Sequence, residues 1–285
     1  MSFFRVMSFN IWDNFGDTDL MADSPELWSN RSGFNLQTIR KYDPDFIGFQ
    51  EFGQTHWDTY RDRFPEYEKC VVSDFGGIDG NAIFYKPAKF ELLQRGNFYL
   101  TRTPDRSDPD WGLEYPLGVH WMLLRERESG VPLLLTNTQY EDGGEPEQYR
   151  MRQEGCQIHL QKIEEIAARL APGAPLMIMG DLNFHAWSWH YRWLIERGFV
   201  DTYRAAGLPD DLQSSTYHGF HGADYFSLDY GFTQAWRVDW ILYRDGTHRL
   251  QTVSADIARD CLPTAGQTTI YPSDHYPVLA ELIIL

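Results

Sequence analysis

The chain has 285 residues, of which 42% are hydrophobic and 23% charged, so a wholly disordered protein is excluded and a sizeable core is possible. Lysine and arginine number 25 against 41 aspartates and glutamates, which gives a formal net charge of −16. Because this charge repels polyanions, we expect no stable binding to a long nucleic-acid duplex, whereas a small phosphorylated substrate held by a metal stays possible.

Short runs rich in Ile, Val, Leu, Phe and Tyr, bounded by Gly, Pro, Asp or Asn, predict nine strands. In chain order they are Arg5–Asn10, Asp45–Gln50, Cys70–Ser73, Asn81–Tyr85, Gly118–Arg125, Val131–Thr138, Leu176–Gly180, Val238–Tyr243 and Pro277–Ile284. Apolar residues at helical spacing predict four helices between them. These are Asn35–Tyr42, His56–Phe64, Glu145–Leu170 and Ser188–Arg197. Many strands with helices at irregular intervals favour an α+β sandwich over a doubly wound parallel sheet.

Two long segments, 101–117 and 207–234, fit no regular element and are rich in Asp, Gly, Pro and aromatic residues. Loops of this length in a compact domain are usually functional. We expect both to contribute to the rim of a site. No linker or internal repeat divides the sequence, so we predict one domain over residues 1–285.

The ends and the cysteines predict a reduced, cytoplasmic protein without a membrane partner. The N-terminal segment lacks the basic region and long apolar stretch of a signal peptide. The apolar runs at 131–135 and 282–285 are far too short to span a membrane. Cys70, Cys156 and Cys261 are odd in number and widely spaced, without the spacing of a metal site or a disulfide framework.

Polar residues that can bind a metal recur at or near the ends of the predicted strands. They are Asn10, Gln50–Glu51, Asn137–Gln139, Asp181 with Asn183, Asp239 and Ser273–His275. One such residue is usually a turn former or a helix cap, but this recurrence predicts an oxygen-rich pocket with one histidine where the strands converge. Carboxylate and amide oxygens suit Mg²⁺ or Mn²⁺, and such a pocket suits hydrolysis of a phosphate ester.

Six short motifs occur in a distinctive order along the chain. They are Ser8-Phe-Asn10, Gly48-Phe-Gln50-Glu51, Thr136-Asn-Thr138, Gly180-Asp-Leu-Asn183, Val238-Asp-Trp-Ile-Leu242 and Ser273-Asp-His275. Together they resemble the endonuclease/exonuclease/phosphatase superfamily, over essentially the whole chain. The resemblance implies the DNase I-like fold, a four-layered α/β/β/α sandwich of two packed mixed β-sheets flanked by helices. It also implies a metal-dependent phosphoric ester hydrolase that attacks with water.

The resemblance implies that Glu51 is the principal metal ligand, with Asn10 beside it on metal or phosphate and Asp274 as a further metal-binding residue. From the residues alone, Asn10 could instead be a strand-end amide that satisfies backbone groups. The implied cofactor is Mg²⁺, with Mn²⁺ as an alternative, because the set lacks the usual His and Cys ligands of zinc.

The resemblance also assigns the residues that handle water and phosphate. Asp181 resembles the group that orients and deprotonates the attacking water, and Asn183 resembles its partner. His275 resembles the histidine that stabilises charge on the phosphoryl oxygens, and Asp239 looks like the carboxylate that favours its charged form. From the residues alone, Asp181 and Asn183 could also be turn and capping residues, His275 could be a surface histidine, and Asp239 needs a partner because it interrupts an apolar strand.

The pattern departs from the superfamily at Gln139, where a histidine usually follows Asn-Thr. Glutamine can donate a hydrogen bond to a phosphate oxygen but cannot carry a positive charge at neutral pH. We keep Gln139 as a catalytic candidate. A weakly active, ligand-binding pseudoenzyme stays open as an alternative to the enzyme.

Candidate substrate contacts are Asn137, His218 and the loop aromatics Trp187 and Phe220, which could stack on a base or a sugar ring. The richest basic stretch, 102–106, is interleaved and followed by acidic residues and offers little net field. We therefore favour a phosphorylated small molecule or a nucleic-acid end as substrate, with an endonuclease or exonuclease as the alternative. Monoester or diester preference and the oligomeric state stay open.

Overall fold

Two six-stranded mixed β-sheets lie at the centre of the structure, a computed structural model that describes residues 1–13, 20–74, 77–227, 236–263 and 269–285. In chain order the strands are β1 (Ser2–Asn10), β2 (Phe46–Phe52), β3 (Glu68–Asp74), β4 (Gly77–Tyr85), β5 (Phe90–Tyr99), β6 (Gly118–Glu126), β7 (Pro132–Gln139), β8 (Leu176–Asp181), β9 (Val200–Asp201), β10 (Asp239–Arg244), β11 (Leu250–Ile257), β12 (Leu262–Pro263), β13 (Thr269–Ile270) and β14 (Val278–Ile284). The first sheet has the order β11-β14-β1-β2-β4-β3 and the second β5-β6-β7-β8-β10-β9, while β12 pairs with β13.

Helices cover the outer face of each sheet. They are α1 (Trp28–Tyr42), α2 (Gln54–Tyr60), α3 (Pro146–Leu170), α4 (Trp189–Glu196) and α5 (Thr202–Ala205), with short 3₁₀ turns at Leu212–Ser214 and Gly222–Ser227. Residues of α1 and α2 form one core cluster with the first sheet, and residues of α3 and α4 form another with the second sheet. This arrangement confirms the predicted four-layered α/β/β/α sandwich.

The inner faces of the two sheets enclose the central core. Alternating apolar side chains from both sheets meet there, as the strand period of two requires. They include Phe4, Val6, Phe46 and Ile83 from the first sheet and Met122, Leu133, Met177 and Ile241 from the second. Each such side chain contributes roughly 1.5–3 kcal/mol by leaving water, so this layer holds the sheets in a fixed relation.

All nine predicted strands are confirmed to within a few residues, and β5 and β11 are additional long strands. The middle of β5 and most of β11 face solvent or are only partly buried, so neither segment carries a run of apolar residues. The four predicted helices are also confirmed. However, α1 begins at Trp28 instead of Asn35, since its first two turns are polar, and α2 ends at Tyr60 instead of Phe64.

The two segments predicted as loops differ in outcome. Segment 101–117 contains no helix or strand, as expected. Segment 207–227 contains the two 3₁₀ turns, and the rest of the predicted loop, 228–234, lies outside the described residues. Within the part of the chain that the structure describes, no helix is both long and apolar enough to cross a membrane.

Candidate active site

Strand direction and register bring polar side chains from both sheets to one edge of the sandwich. β1 and β2 are parallel with Asn10 opposite Gln50, so both strands end at this edge. In the second sheet β7 and β8 are parallel with Gln139 opposite Asp181, and antiparallel β10 begins with Asp239 opposite the same aspartate. Residues far apart in sequence therefore become neighbours, as the strand-end pattern predicted.

Glu51 projects from a bulge in β2. The pairing of β2 with β4 shifts register between Gln50 and Phe52, and Glu51 adopts a left-handed backbone with φ 55°. Such bulges re-aim a side chain at the end of a strand. The Glu51 carboxylate accepts hydrogen bonds from the amide of Asn10 at 2.9 Å, from the amide of Gln139 at 2.9 Å and from a backbone N–H at 3.1 Å.

Asn10 bridges the two sheets, and its expected role on metal or phosphate stays a prediction. Its Nδ2 donates to Glu51 Oε1 at 2.9 Å and to Asp181 Oδ2 at 3.1 Å, while its Oδ1 accepts the backbone N–H of Trp12. Gln139 Nε2 makes the same pair of contacts at 2.9 and 3.4 Å. Two neutral amides therefore hold two carboxylates side by side.

Asp181 reaches the edge of the sheet because glycine precedes it. Gly180 has φ 146°, and a Cβ there would lie 1.9 Å from the carbonyl oxygen of Thr138, so the close approach of β7 and β8 requires glycine. Asn183, at φ 47°, donates its backbone N–H to Asp181 Oδ1 at 3.1 Å and its Nδ2 to the carbonyl of Tyr140 at 2.9 Å. Burial, followed by the charge of Asp239, raises the pKa of Asp181 to about 8.

His275 faces Asp181 and is held from behind by Asp239. Its Nδ1 lies 2.8 Å from Asp239 Oδ2, and its Nε2 lies 4.0 Å from Asp181 Oδ2. Burial lowers the pKa of His275, but the charges of Asp239, Asp274 and Asp181 and the hydrogen bond to Asp239 outweigh it and raise the pKa well above its ordinary value. The imidazole is therefore cationic at neutral pH, and Asp239 has the partner that its burial demands.

Asp13 and Asp274 add carboxylates on the Glu51 side of the cluster. Burial, followed by the charge of Glu51, raises the pKa of Asp13 to about 6, and burial is also the main reason that the pKa of Asp274 rises to about 6. Asp274 Oδ1 accepts a hydrogen bond from the Ser273 hydroxyl at 3.1 Å. The sequence prediction missed Asp13, although a carboxylate just past a polar strand end was a signal that could have identified it.

The donor set fits a hard divalent cation. Several buried or half-buried carboxylates repel one another here, and a cation would offset that repulsion with ligands of the oxygen type that Mg²⁺ and Mn²⁺ prefer. Among the described residues, ligand atoms of Asp181, Asp239 and His275 also lie within 4.8 Å of one another. In this cluster, Nδ1 of His275 and Oδ2 of Asp239 already share a hydrogen bond, so neither atom is available to a cation. We therefore regard Glu51 and Asp274 as the better cation ligands.

The four predicted substrate contacts fall in different places. Asn137 is fully buried between the sheets, where its amide donates to the carbonyl of Phe49 at 2.7 Å, so a direct substrate contact is wrong and its role is structural. His218 is also fully buried and stacks on Tyr276, with ring centroids 3.9 Å apart. Burial lowers its pKa well below the ordinary value, so the ring is neutral and inside the protein.

The two predicted aromatic contacts lie on the surface. Trp187 is 45% exposed and stacks on His185, with ring centroids 4.3 Å apart. Phe220 is partly exposed and has a left-handed backbone with φ 62°. Its ring and the ring of Trp12 pack edge to face, with centroids 5.0 Å apart. Because Trp12 directly precedes Asp13, Phe220 lies on the Glu51 side of the site.

The fold and the site together define a class: a four-layered sandwich whose sheet edges join carboxylates, amides and one carboxylate-paired histidine. The model of the Endonuclease/Exonuclease/phosphatase family matches residues 7–275. The chain belongs to this family. No curated protein matches the chain.

Several solved structures share the fold across the whole chain. An endonuclease/exonuclease/phosphatase family protein from Bacteroides thetaiotaomicron is 23% identical, with 100% of this chain and 96% of that chain covered at a TM-score of 0.82. A mannosyl-6-phosphatase from the same organism is 24% identical, with 99% and 100% covered at a TM-score of 0.79. The human Nocturnin catalytic domain is 20% identical, with 99% and 95% covered at a TM-score of 0.67.

Proposed function

We propose that the chain hydrolyses a phosphoester bond by in-line attack of water, with Mg²⁺ or Mn²⁺ as cofactor, on a small or end-located phosphorylated substrate. The observation that carries the proposal is the facing pair of Asp181 and His275, with Nε2 and Oδ2 4.0 Å apart and Asp239 2.8 Å behind the imidazole. A carboxylate that can accept a proton thus lies opposite a cation that can stabilise phosphoryl oxygens.

Asp181 orients the attacking water and takes its proton. Burial and the charge of Asp239 raise the pKa of Asp181, which makes its ionised carboxylate a stronger base than an ordinary aspartate. Asn183 donates its backbone N–H to Oδ1 of this carboxylate and keeps Oδ2 directed toward the amides of Asn10 and Gln139. The side chain is therefore held in one orientation before the substrate arrives.

His275 stabilises the negative charge that develops on the phosphoryl oxygens. Its proton on Nδ1 is directed at Asp239, so Nε2–H is the donor that faces the reacting group. Removal of one such donor in other hydrolytic enzymes costs on the order of 10²- to 10³-fold in rate.

Glu51 and Asp274 would hold the divalent cation. The bound cation supplies charge neutralisation on the phosphoryl oxygens and lowers the pKa of water. Gln139 holds Glu51 and Asp181 beside each other, a task that needs two N–H donors and no positive charge. This contact supports an active enzyme over the pseudoenzyme alternative.

The net charge of the chain and one structure with the same fold favour a small substrate. A formal net charge of −16 opposes duplex binding, which makes a general nuclease the weaker alternative. A mannosyl-6-phosphatase among the structures with this fold is consistent with a small substrate. We further infer one domain over residues 1–285. We also infer a cytoplasmic location, since Cys70, Cys156 and Cys261, all within the described residues, form no disulfide.

The experiment is hydrolysis of bis-p-nitrophenyl phosphate and p-nitrophenyl phosphate with Mg²⁺, whose rate ratio separates diesterase from monoesterase. Asp181→Asn and His275→Ala should each lower kcat at least 10²-fold. Asp62→Asn, at an aspartate whose side chain is 84% exposed, is the matched control and should retain the wild-type rate. Wild-type rates in both site variants, or a wild type that hydrolyses neither ester, would refute the proposal.

A further inference from the structure

Three arginines are buried in the described part of the chain, and one of them makes far fewer hydrogen bonds than the other two. Arg237 forms two hydrogen bonds to Asp201, at 3.2 and 2.8 Å, and Arg31 donates to four backbone carbonyls. Arg152 is 7% exposed, yet the structure gives its guanidinium one hydrogen bond, from Nη1 to the carbonyl of Glu141 at 2.9 Å.

The Nε of Arg152 is buried and has no hydrogen-bond partner among the described residues. No carboxylate oxygen of the described chain lies within 4.0 Å of its guanidinium nitrogens either. Burial lowers the pKa of Arg152, and the charges of Asp142 and Glu141 offset this only in part. A buried cation with one hydrogen bond and no carboxylate in contact destabilises the fold, since it has lost water and gained little in return. The group is therefore prepared to accept an anion from outside the chain.

Arg152 contacts the loop that adjoins the candidate catalytic carboxylate. The carbonyl that it binds belongs to Glu141, and the preceding residue Tyr140 donates its N–H to the carbonyl of Asp181. The Tyr140 carbonyl accepts Nδ2 of Asn183. The guanidinium thus contacts the same short loop that fixes the two residues assigned to the attacking water.

An aromatic pair lies on the same side of the site. Burial, and after it the charge of Arg152, lowers the pKa of His185 to about 4, so this ring is neutral at pH 7 and close enough to sense the guanidinium. His185 stacks on Trp187, with ring centroids 4.3 Å apart and an interplanar angle of 12°. Because Trp187 is 45% exposed, the pair offers a flat apolar surface within the electrostatic reach of Arg152.

We propose that Arg152 and Trp187 form a second anion subsite, which binds a second phosphate group of the substrate while the first phosphate is hydrolysed. This inference rests on the proposed hydrolysis of a phosphoester and narrows its substrate to a bisphosphorylated small molecule. The planar guanidinium fork matches phosphate oxygens in two-point contacts, which the free Nε and its neighbouring N–H groups can supply.

The test is a set of calorimetric titrations with Mg²⁺ present. The probes are propylphosphonate, which has one anionic group, and alkane bisphosphonates whose linker increases from methylene to butylene. We expect at least one linker to bind wild type about 10-fold tighter than propylphosphonate, and Arg152→Met to reduce this gain to less than about twofold. Arg150→Met is the matched control, since Arg150 lies on the same helix with 66% of its side chain exposed, and it should keep the full gain.

Two results would overturn the subsite. One is no gain at any linker length, and the other is a gain that persists in Arg152→Met, which would assign the second phosphonate to the cation. If Arg152→Met does not fold, Arg152→Lys keeps a charge without the fork and should lose most of the gain, whereas an unchanged gain overturns the proposal. Because binding is read without turnover, an inactive wild type that keeps the Arg152-dependent gain would refute the hydrolysis alone.

Discussion

Arg31 occupies the point where three segments around the site meet. Its guanidinium donates to the carbonyls of Ile11 and Trp12 after β1, of Glu26 before α1, and of Pro272 just before the segment that carries His275. Burial lowers its pKa to about 10, so it stays charged at neutral pH near Glu51 and Asp274. One side chain thus links the segment next to Glu51 with the segment that presents the histidine.

Arg31→Met should lower the free energy of unfolding by about 3 kcal/mol, because several buried carbonyls lose their donor and each costs about 1–3 kcal/mol. Urea denaturation followed by circular dichroism measures the change. Arg63→Met, at an exposed arginine, is the matched control and should stay within about 0.5 kcal/mol of wild type. Equal stability of Arg31→Met and Arg63→Met would show that the carbonyls find other donors.

Site residues at strand ends could be predicted from the sequence, whereas residues defined by tertiary burial could not. Glu51, Asp181 and His275 follow or precede clear apolar runs, so their types and order were informative. Arg31 and Arg152 lie on polar stretches of their helices and look like solvated charges in the sequence. They are buried because loops from elsewhere in the chain cover them, and the local sequence pattern does not predict this burial.

At the scale of elements, one buried histidine adds polar contacts to the apolar packing of α3 on the second sheet. His159 Nδ1 lies 2.9 Å from the Tyr140 hydroxyl, and its Nε2 lies 2.9 Å from the Thr136 hydroxyl of β7. Burial lowers the pKa of His159 from 6.5 to about 3. The helix therefore depends on a neutral imidazole behind the loop that supports Asp181.

His159 should make stability depend on pH below its unfolded pKa. Above pH 6.5 the imidazole is neutral in both states, but below it the unfolded chain binds a proton that the folded chain excludes until about pH 3. The free energy of unfolding should therefore fall by about 1.4 kcal/mol per pH unit from this group alone.

Urea denaturation at pH 7 and pH 5 measures this effect. His159→Gln should lose about 2 kcal/mol less than wild type over that interval. His248→Gln, at an exposed histidine, is the control and should follow wild type. Parallel pH profiles for wild type and His159→Gln would contradict a buried neutral imidazole.

The elements that the sequence predicted well have strong periodic patterns. α3 was predicted to within one residue, because apolar side chains recur at helical spacing over its whole length. β11 was missed because it is an edge strand with mostly partly buried or exposed residues. Its pairing with β14 supplies backbone hydrogen bonds, which the pattern of side chains in the sequence does not predict.

At the scale of the whole molecule, the two sheets are joined by polar contacts as well as by the apolar core. Gln50 Nε2 donates to Asn137 Oδ1 at 2.6 Å, directly below the site. Gly48 lies against the same amide, and a Cβ there would be 2.3 Å from Asn137 Oδ1 and 2.8 Å from the Met179 methyl carbon. The separation of the sheets, and with it the distance from Glu51 to Asp181, depends on this contact.

Gly48→Ala should destabilise the protein by about 1–3 kcal/mol, because the added methyl group overpacks the interface between the sheets. Gly33→Ala is the matched control: Gly33 lies in α1 with no atom within 4 Å of an added Cβ. It should stabilise the protein by about 0.4–1 kcal/mol by restricting the unfolded chain. Thermal unfolding of the two variants measures both effects, and a Gly48→Ala protein as stable as wild type would contradict the close approach of the sheets.

The class of fold could be predicted from the order of strands and motifs, but the packing of the sheets could not. Asn137 illustrates the difference, since its motif suggested a substrate contact and its position between the sheets makes it structural. Which side of a strand faces the partner sheet depends on register, and register is set by pairing with strands distant in sequence.

The measurement that tests the central claim most directly is the rate of bis-p-nitrophenyl phosphate hydrolysis as Mg²⁺ is titrated into metal-free protein. Wild type should be inactive in chelator and should reach a saturating rate, while Glu51→Gln should need at least about 10-fold more Mg²⁺ and reach a lower maximum. Glu66→Gln, at an exposed glutamate, should give the wild-type curve. Undiminished hydrolysis in chelator, or a Glu51→Gln curve that superposes on wild type, would contradict the account.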